Sequence, residues 1–330
     1  MLDRCLDSLY AAGGAVPRVI VVDNGGHVSD TWGLETVRQQ VEVLRLPANA
    51  GYAGGCNAGL KLCSFRYVVF LNDDAEVAPG WLEPLVAEAE QDPSIGALQP
   101  KILSSKSRHV GRREFDYAGA AGGMLDRLGY PYCLGRSFSG TEEDKGQYDD
   151  PAEIFWASGV ALFARREVLE RLGGFEEGFF MHMEEIDLCW RMRLQGFRIC
   201  SVPSSVVWHE GGASLRQGSP GKVYYNHRNA FAMLLRNRGT AALFFVVPLR
   251  MLLEFAAVLY YLAGGRSGVA LAWQVIRAAA HNLRWFSDTL RMRGVIQGGR
   301  MVYDRDLFRG APFSVLLSRG RVQPPARGSQ

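Results

Sequence analysis

Lysine is missing from the last quarter of this 330-residue chain. Residues 236–330 hold fourteen arginines and four acids (Glu254, Asp288, Asp304, Asp306), a surplus of ten positive charges, within a whole-chain net charge of +3. The rest of the chain is therefore acidic. Such a split excludes a protein that binds polyanions along its whole length and separates an acidic domain from a basic tail. Cysteine is also sparse in pattern: the six (Cys5, Cys56, Cys63, Cys133, Cys189, Cys200) show no C-x-x-C or metal spacing. Several lie in apolar stretches, so they read as reduced core residues of a cytosolic domain. No signal peptide is expected before the domain, and no internal repeat or low-complexity tract appears before the Pro- and Arg-containing terminus after Arg319, which is expected to be disordered. With 48% hydrophobic residues, the chain can bury one large α/β core plus an appendage.

What is present is carboxylate, placed at element ends. The run Phe179-Phe180-Met181-His182-Met183-Glu184-Glu185-Ile186-Asp187-Leu188-Cys189-Trp190-Arg191 puts three acids into four positions at a helix start, and Gly196 closes that helix. Asp187 can pair with Arg191 one turn on. Glu185 instead shares a face with Leu188, Cys189 and Met192. A carboxylate there is either capped or functional, since burying it bare is costly. Burial raises its pKa while the helix start lowers it, which suits a base near neutral pH.

A second acidic site ends the strand-like run Arg66 to Leu71, at Asn72-Asp73-Asp74-Ala75-Glu76. An earlier strand, Arg18 to Val22, ends in the same way at Asp23-Asn24-Gly25-Gly26. Ligands of open α/β sheets bind at the carboxyl ends of strands. Adjacent hard oxygens suit Mg²⁺ or Mn²⁺ bridging to a substrate's phosphates. Between the two strands, Asn49-Ala50-Gly51-Tyr52-Ala53-Gly54-Gly55-Cys56-Asn57-Ala58-Gly59 runs into a helix. Its small residues permit close backbone approach, and the helix start favours an anion. The loop follows neither G-x-G-x-x-G nor Walker spacing.

In this order the motifs resemble the inverting glycosyltransferases of family 2, and within them the rhamnosyltransferase-like branch. The matching stretches are Val21-Val22-Asp23-Asn24, the Asn49–Gly59 loop, Leu71-Asn72-Asp73-Asp74, Trp156-Ala157-Ser158-Gly159, Gly173-Gly174-Phe175-Glu176-Glu177, Glu184-Glu185-Ile186-Asp187-Leu188 and Val207-Trp208-His209. The resemblance covers roughly residues 1 to 237. It implies a GT-A fold (an α/β, Rossmann-like mixed sheet flanked by helices), a nucleotide-diphosphosugar donor, Mg²⁺ or Mn²⁺, and inversion at the anomeric carbon. Asp74 resembles the last acid of the family's Asp-X-Asp site, with Asn72 in place of the first, and His209 a third metal or diphosphate contact. Asp23, Asn49, Gly51, Asn57, Asp73 and Arg228 fall on the donor side, with Arg228-Asn229 at the family's Arg-Asn position. Trp156, Gly159 and Asp187 fall on the acceptor side. Glu185 stands where the family usually has the Asp of its Glu-Asp base motif, which leaves Glu184 as the rival base. The implied donor is a deoxythymidine-diphosphate deoxysugar of the dTDP-rhamnose kind, and the implied acceptor a saccharide or lipid-linked saccharide of cell-surface polysaccharide synthesis. Residues Met1 to Leu9 read as the helix that follows the family's first strand, so that strand is expected to be missing from the sequence. Two other readings stay open: a nucleotidyltransferase or other sugar-nucleotide enzyme, and a non-catalytic, membrane-associated nucleotide-sugar-binding subunit.

The domain reading is a catalytic domain over 1–237 and a helical membrane-association region over 238–330. Residues 104–150 are too long for an ordinary connection and read as a lid or acceptor-side insertion. Phe155 to Phe163 reads as a buried strand. The apolar run from Ala241 to about Ala263 is interrupted by Pro248, Arg250 and Glu254; the two charges stand four apart and can pair. In the next segment Arg277, His281 and Arg284 share one face, with Trp273, Ile276, Ala280 and Leu283 nearer the other. That is the form of a membrane-surface helix, the alternative being a helical pair packed on the catalytic domain or on a second subunit. The expected location is the cytoplasmic face of the cell membrane. Apolar runs among the arginines speak for lipid, and no nucleic-acid partner is expected; oligomeric state is left open.

Overall fold

The computed structural model describes residues 1–14, 17–26, 41–137, 140–211 and 218–316. The terminus after Arg319 lies outside them. Helix α1 (Leu2–Ala11) buries Cys5, Leu6 and Leu9 along one face. Strands β1 (Val19–Asn24) and β2 (Val41–Leu46) pair in parallel and lead into α2 (Gly51–Leu60). Then come β3 (Tyr67–Leu71), β4 (Ala75–Val77), α3 (Leu82–Gln91) and β5 (Ile95–Ser104). The 104–150 segment is ordered where it is described. It holds α4 (Ser105–His109), the hairpin β6 (Gly122–Leu125) and β7 (Pro131–Leu134), and the short pair β8 (Arg136–Ser137) and β9 (Gly140–Thr141). Next are β10 (Ala152–Ile154), β11 (Ala161–Arg165), α5 (Arg166–Leu172), α6 (Glu184–Leu194) and β12 (Arg198–His209).

The main sheet is mixed, in the order β10-β12-β5-β11-β3, with β4 on the far end of β12. β12 and β5 run parallel, whereas β11 lies antiparallel to both β5 and β3. β5 is buried over nearly its whole length, as a central strand covered on both faces must be. β1 and β2 stand apart as a two-stranded sheet. Among the described residues no strand pairs with both β1 and β3. A cavity of about 1360 Å³ has Val21 of β1 and Val69 of β3 on its walls, and it continues to the acidic strand ends.

Two expectations about strands change. Residues 155–160 are not strand; extended pairing with β3 begins only at Ala161. The backbone N–H of Ser158 bonds to the Gln99 side chain at 2.8 Å, and the Ser158 hydroxyl donates to the Ala118 carbonyl at 2.9 Å, so side chains replace the ladder there. The short strand read at Val206–Trp208 is the end of the 12-residue β12, which has an irregular register between Val202 and Val206.

After β12 the chain is helical: α7 (Pro220–Asn237), α8 (Thr240–Ala263), α9 (Gly265–Arg284), α10 (Phe286–Gly298) and a last turn, α11 (Asp304–Leu307). The expected Arg250–Glu254 pair forms at 3.3 Å. Arg250 is buried, donates to the Leu128 carbonyl at 3.2 Å and stacks 3.8 Å from the centre of the Tyr130 ring. It therefore ties α8 to the β6–β7 hairpin. Away from that tie, Phe244, Phe245, Met251, Phe255 and Tyr260 are exposed. α8 is the one helix among the described residues long and apolar enough to cross a membrane, with a mean hydropathy of 2.1. On α9 His281 meets the Tyr224 hydroxyl at 3.0 Å, so part of the expected basic face packs on α7. Trp273, Ile276 and Leu283 are left exposed.

Candidate active site

The fold gathers both acidic sites onto one cavity. Asp73, Asp74 and His209 line it, and so do Glu184 and Glu185. β3 ends at Leu71 and the chain turns through Asn72–Asp74 before β4, which sets Asp74 beside the last residue of β12. His209 Nε2 stands 3.1 Å from Asp74 Oδ1, and His209 Nδ1 stands 2.9 Å from Asp116 Oδ1. Asp116 comes from the 104–150 segment, and the sequence reading missed it. Burial works against a charged imidazole, but the bonds to Asp116 and Asp74 prevail and lift His209 to about 9. Burial likewise pushes the Asp74 carboxyl up, yet His209 outweighs it and holds Asp74 below its ordinary value. Asp73, more exposed, is pushed up by desolvation and by the Asp74 charge.

The base candidates sit on the first turn of α6, beyond an unusual stretch of backbone. Phe180, His182 and Met183 all have left-handed φ, at 66°, 67° and 72°. Non-glycine residues rarely adopt such angles, and runs of them persist only where their surroundings impose them. Asn229 imposes these. Its amide nitrogen lies 3.0, 2.9 and 2.7 Å from the carbonyls of Phe179, Met181 and His182. Glu184 is buried and its Oε2 has no hydrogen-bond partner; the same holds for Oε2 of Glu185. Burial, reinforced by the neighbouring Glu185, keeps Glu184 well above the usual carboxylate range. Burial raises Glu185 to about 7. Burial thus favours the neutral form of both carboxyls, which titrate as one pair.

Other sequence candidates are engaged in holding the frame. Asn57 was read as a nucleotide-sugar contact, but its amide donates to the Phe175 carbonyl (2.9 Å) and Glu177 (3.0 Å) and accepts from the Phe175 N–H. Both of its amide hydrogens are taken up by the frame. Arg228 was read as a phosphate contact. It instead donates to Asn229 Oδ1 at 2.7 Å and to the Gly178 and Phe179 carbonyls, bracing the strained turn. Asp187 was placed on the acceptor side; it is buried between Arg191 and Asn237, at 2.7 Å from each. Trp156 is buried, with its indole N–H on the Met124 carbonyl at 2.8 Å. Asn49 accepts from the Gly51 N–H at 2.8 Å and so shapes the loop rather than reaching outward. Gly51 itself adopts φ +72°, and a Cβ there would strike the Phe180 carbonyl, so α2 approaches the strained turn directly. Asp23 is buried at the end of β1 and borders the cavity, as does Gly159, whose carbonyl accepts the Tyr52 hydroxyl at 2.7 Å.

Asp74 and His209 pass one test for a hard divalent cation. Two neighbouring ligands of an octahedral ion, each about 2.1 Å from it, lie about 3 Å apart, close to the observed 3.1 Å. The Asp116 contact on Nδ1 also fixes the ring so that Nε2 faces Asp74, the second-shell arrangement usual for a ligating imidazole. Among the described residues no cluster of three or more His, Cys, Asp or Glu side chains is arranged to hold a metal alone. The residues present fit an ion that displaces the Nε2 proton of His209 and takes its remaining ligands from a substrate's phosphates and water.

The description "Glycosyl transferase family 2" matches residues 1–173, more than half the chain. The chain belongs to this family. Among family 2 relatives, it is 27% identical over 247 residues to the N-acetylglucosaminyl-diphospho-decaprenol L-rhamnosyltransferase of Mycobacterium tuberculosis, covering 71% of this chain and 79% of that protein. It is 28% identical over 212 residues to the pre-mycofactocin glycosyltransferase of the same organism, and spans 63% of this chain but only 40% of that protein. Among solved structures, GalNAc-T7 with UDP, GalNAc and Mn²⁺ superposes with a TM-score of 0.51 at 16% identity, over 82% of this chain and 50% of that one. That likeness establishes the GT-A type fold.

Proposed function

We propose that this family 2 chain is an inverting, metal-dependent glycosyltransferase that moves a sugar from a nucleotide diphosphate to an acceptor hydroxyl in cell-surface polysaccharide synthesis. The observation that carries the proposal is the position of Glu185. It borders the same cavity as the Asp74–His209 pair, on a helix start held by a strained turn, with its proton affinity set near 7. Asp23, at the end of β1 and bordering the cavity, would take the nucleoside end of the donor. Asp74 and His209, with Asp73 beside them, would hold Mg²⁺ or Mn²⁺, which neutralises charge on a departing diphosphate. Glu185 then accepts the proton of the acceptor hydroxyl as that oxygen attacks the anomeric carbon from the face opposite the leaving group. Glu184, raised further by its neighbour, is the rival for that role.

The rhamnosyltransferase relative supports a deoxysugar donor and a lipid-linked saccharide acceptor. The exposed apolar faces of α8 and α9 support docking at the cytoplasmic surface of the membrane. The full chain, incubated with nucleotide sugars, Mn²⁺ and a lipid-linked saccharide, should yield a glycoside whose anomeric configuration, read by NMR, is opposite to the donor's. EDTA should abolish the product. Retention of configuration, or donor binding with neither transfer nor donor hydrolysis, would discard the reading.

A further inference from the structure

Two cations meet over one tyrosine ring at the wall of the cavity. Tyr117, from the 104–150 segment, and Lys222, from the first turn of α7, both border it. Arg136 on β8 stacks over Tyr117 with its guanidinium carbon 3.4 Å from the ring centre and donates to the Tyr117 carbonyl at 3.0 Å. Lys222 Nζ lies 5.9 Å from the same ring centre. Among the described residues neither cation forms an ion pair with a carboxylate. Burial, and next the charge of Arg136, depress the proton affinity of Lys222. Like charges brought together in this way are unfavourable until an anion completes the cluster.

A second feature points to the same spot. α7 is 18 residues long, and its N-cap residue Ser219 makes no capping bond; the Ser219 hydroxyl is buried without a hydrogen-bond partner. The unpaired N–H groups and the positive dipole end of α7 therefore add to the field beside Lys222. Lys222 also faces the base turn, because its charge, after burial, is what lowers His182 to about 4. His182 is two residues from Glu184. Tyr117 is one residue from Asp116, which contacts His209, so an anion held here would lie between the base turn and the Asp74–His209 pair, where the donor's diphosphate is expected. In a saccharide carried on a diphosphate, a hydroxyl of the first sugar and the phosphoryl group are one ring apart.

We propose that Arg136 and Lys222, on the Tyr117 platform, form a metal-independent subsite for the phosphoryl group of the acceptor, so that the acceptor is a saccharide carried on a phosphate or diphosphate. This deepens the function proposed above and rests on it for the word acceptor. The test is calorimetry on the full chain in EDTA with octyl diphosphate, inorganic phosphate, and, separately with Mn²⁺, UDP or dTDP. Octyl diphosphate should bind without metal. Arg136→Ala and Lys222→Ala should each weaken it by about tenfold or more, the loss expected for a charge-assisted contact. Lys222→Arg should recover most of the affinity, and nucleotide binding with Mn²⁺ should change by less than about twofold. Unchanged octyl diphosphate binding in the variants would overturn the proposal. So would equal affinity for inorganic phosphate, which marks a free-anion site, or a parallel fall in nucleotide affinity with mutual competition, which assigns the pair to the donor. Because no sugar transfer is read, a chain that binds octyl diphosphate as described but transfers nothing would defeat the enzymatic reading alone. A chain that transfers sugar yet ignores octyl diphosphate would defeat only the subsite.

Discussion

Two pairs of adjacent acids face one cavity in this protein, and of the four carboxyls only Asp74 is held down. At the strand end, Asp74 stands against His209 and is held below its ordinary proton affinity. At the helix start, Glu184 and Glu185 make no ion pair among the described residues, and burial drives both upward. Residue type does not separate a charge-holding site from a proton-taking one; the presence or absence of a cation partner does. That difference puts an ion-paired carboxylate and a raised carboxyl pair in one enclosure, the metal edge and the base of the proposed mechanism.

The largest effect should come from breaking the helix-start pair. Glu185→Gln keeps the shape and a hydrogen-bonding group but removes the proton acceptor. Transfer should fall by roughly 10²–10⁴-fold, the usual share of general-base catalysis, while donor affinity by calorimetry stays within about twofold. Glu184→Gln removes the carboxyl that burial and its neighbour raise further, so it should cost far less. The reverse ranking would show that Glu184 is the base.

Next comes the strand-end pair. Asp116→Asn keeps Asp74 and His209 in place but removes the charge that orients the imidazole. Mn²⁺-dependent nucleotide affinity should weaken by roughly 10–100-fold, the common cost of losing such support behind a ligand. Affinity unchanged from the parent would separate His209 from the metal.

A smaller effect tests what holds the comparison in place. Asn229→Ala leaves the carbonyls of Phe179, Met181 and His182 without their donor, so urea denaturation should register a loss of about 1–3 kcal/mol. The turnover rate should drop more than donor affinity, because the turn sets Glu185 and not the nucleotide. The smallest effect concerns the tail. Phe245→Asp with Phe255→Asp, on the exposed face of α8, should cut flotation with anionic liposomes severalfold and leave thermal stability unchanged. Equal flotation would mean that this face covers protein instead of lipid.

Much of the site was legible because a single local rule governed it. Asp74 at a strand end, His209 before a glycine turn, and Glu185 on the apolar phase of a helix start each announce themselves within a few residues. The i,i+4 pairs Asp187–Arg191 and Arg250–Glu254 formed for the same reason. The misreadings share a cause too. Asn57, Arg228 and Asp187 are polar residues in the right stretches, but whether such a group points at a ligand or at its own backbone depends on what the fold brings opposite. Asn57 meets Phe175 from 118 positions away, and Asp116 meets His209 across 93. The left-handed run at Phe180, His182 and Met183 carries no glycine to advertise it, and Asn229, which compels it, is more than forty residues downstream. The irregular stretch at 155–160 looked like strand because its residues are apolar, yet Gln99 supplied a side-chain bond that ended the ladder.

The most direct test of the central claim is the pH dependence of sugar transfer at saturating Mn²⁺, measured as kcat/KM for the parent chain and for Glu185→Gln. Glu185 is a raised carboxyl, neutral below its proton affinity and a competent base only above it. The parent profile should therefore climb tenfold per pH unit on the acid side and level off above about 7. That limb should vanish in Glu185→Gln, leaving low and pH-independent transfer. A parent profile flat across that range, or the same limb persisting in the variant, would contradict the assignment of Glu185 as the base.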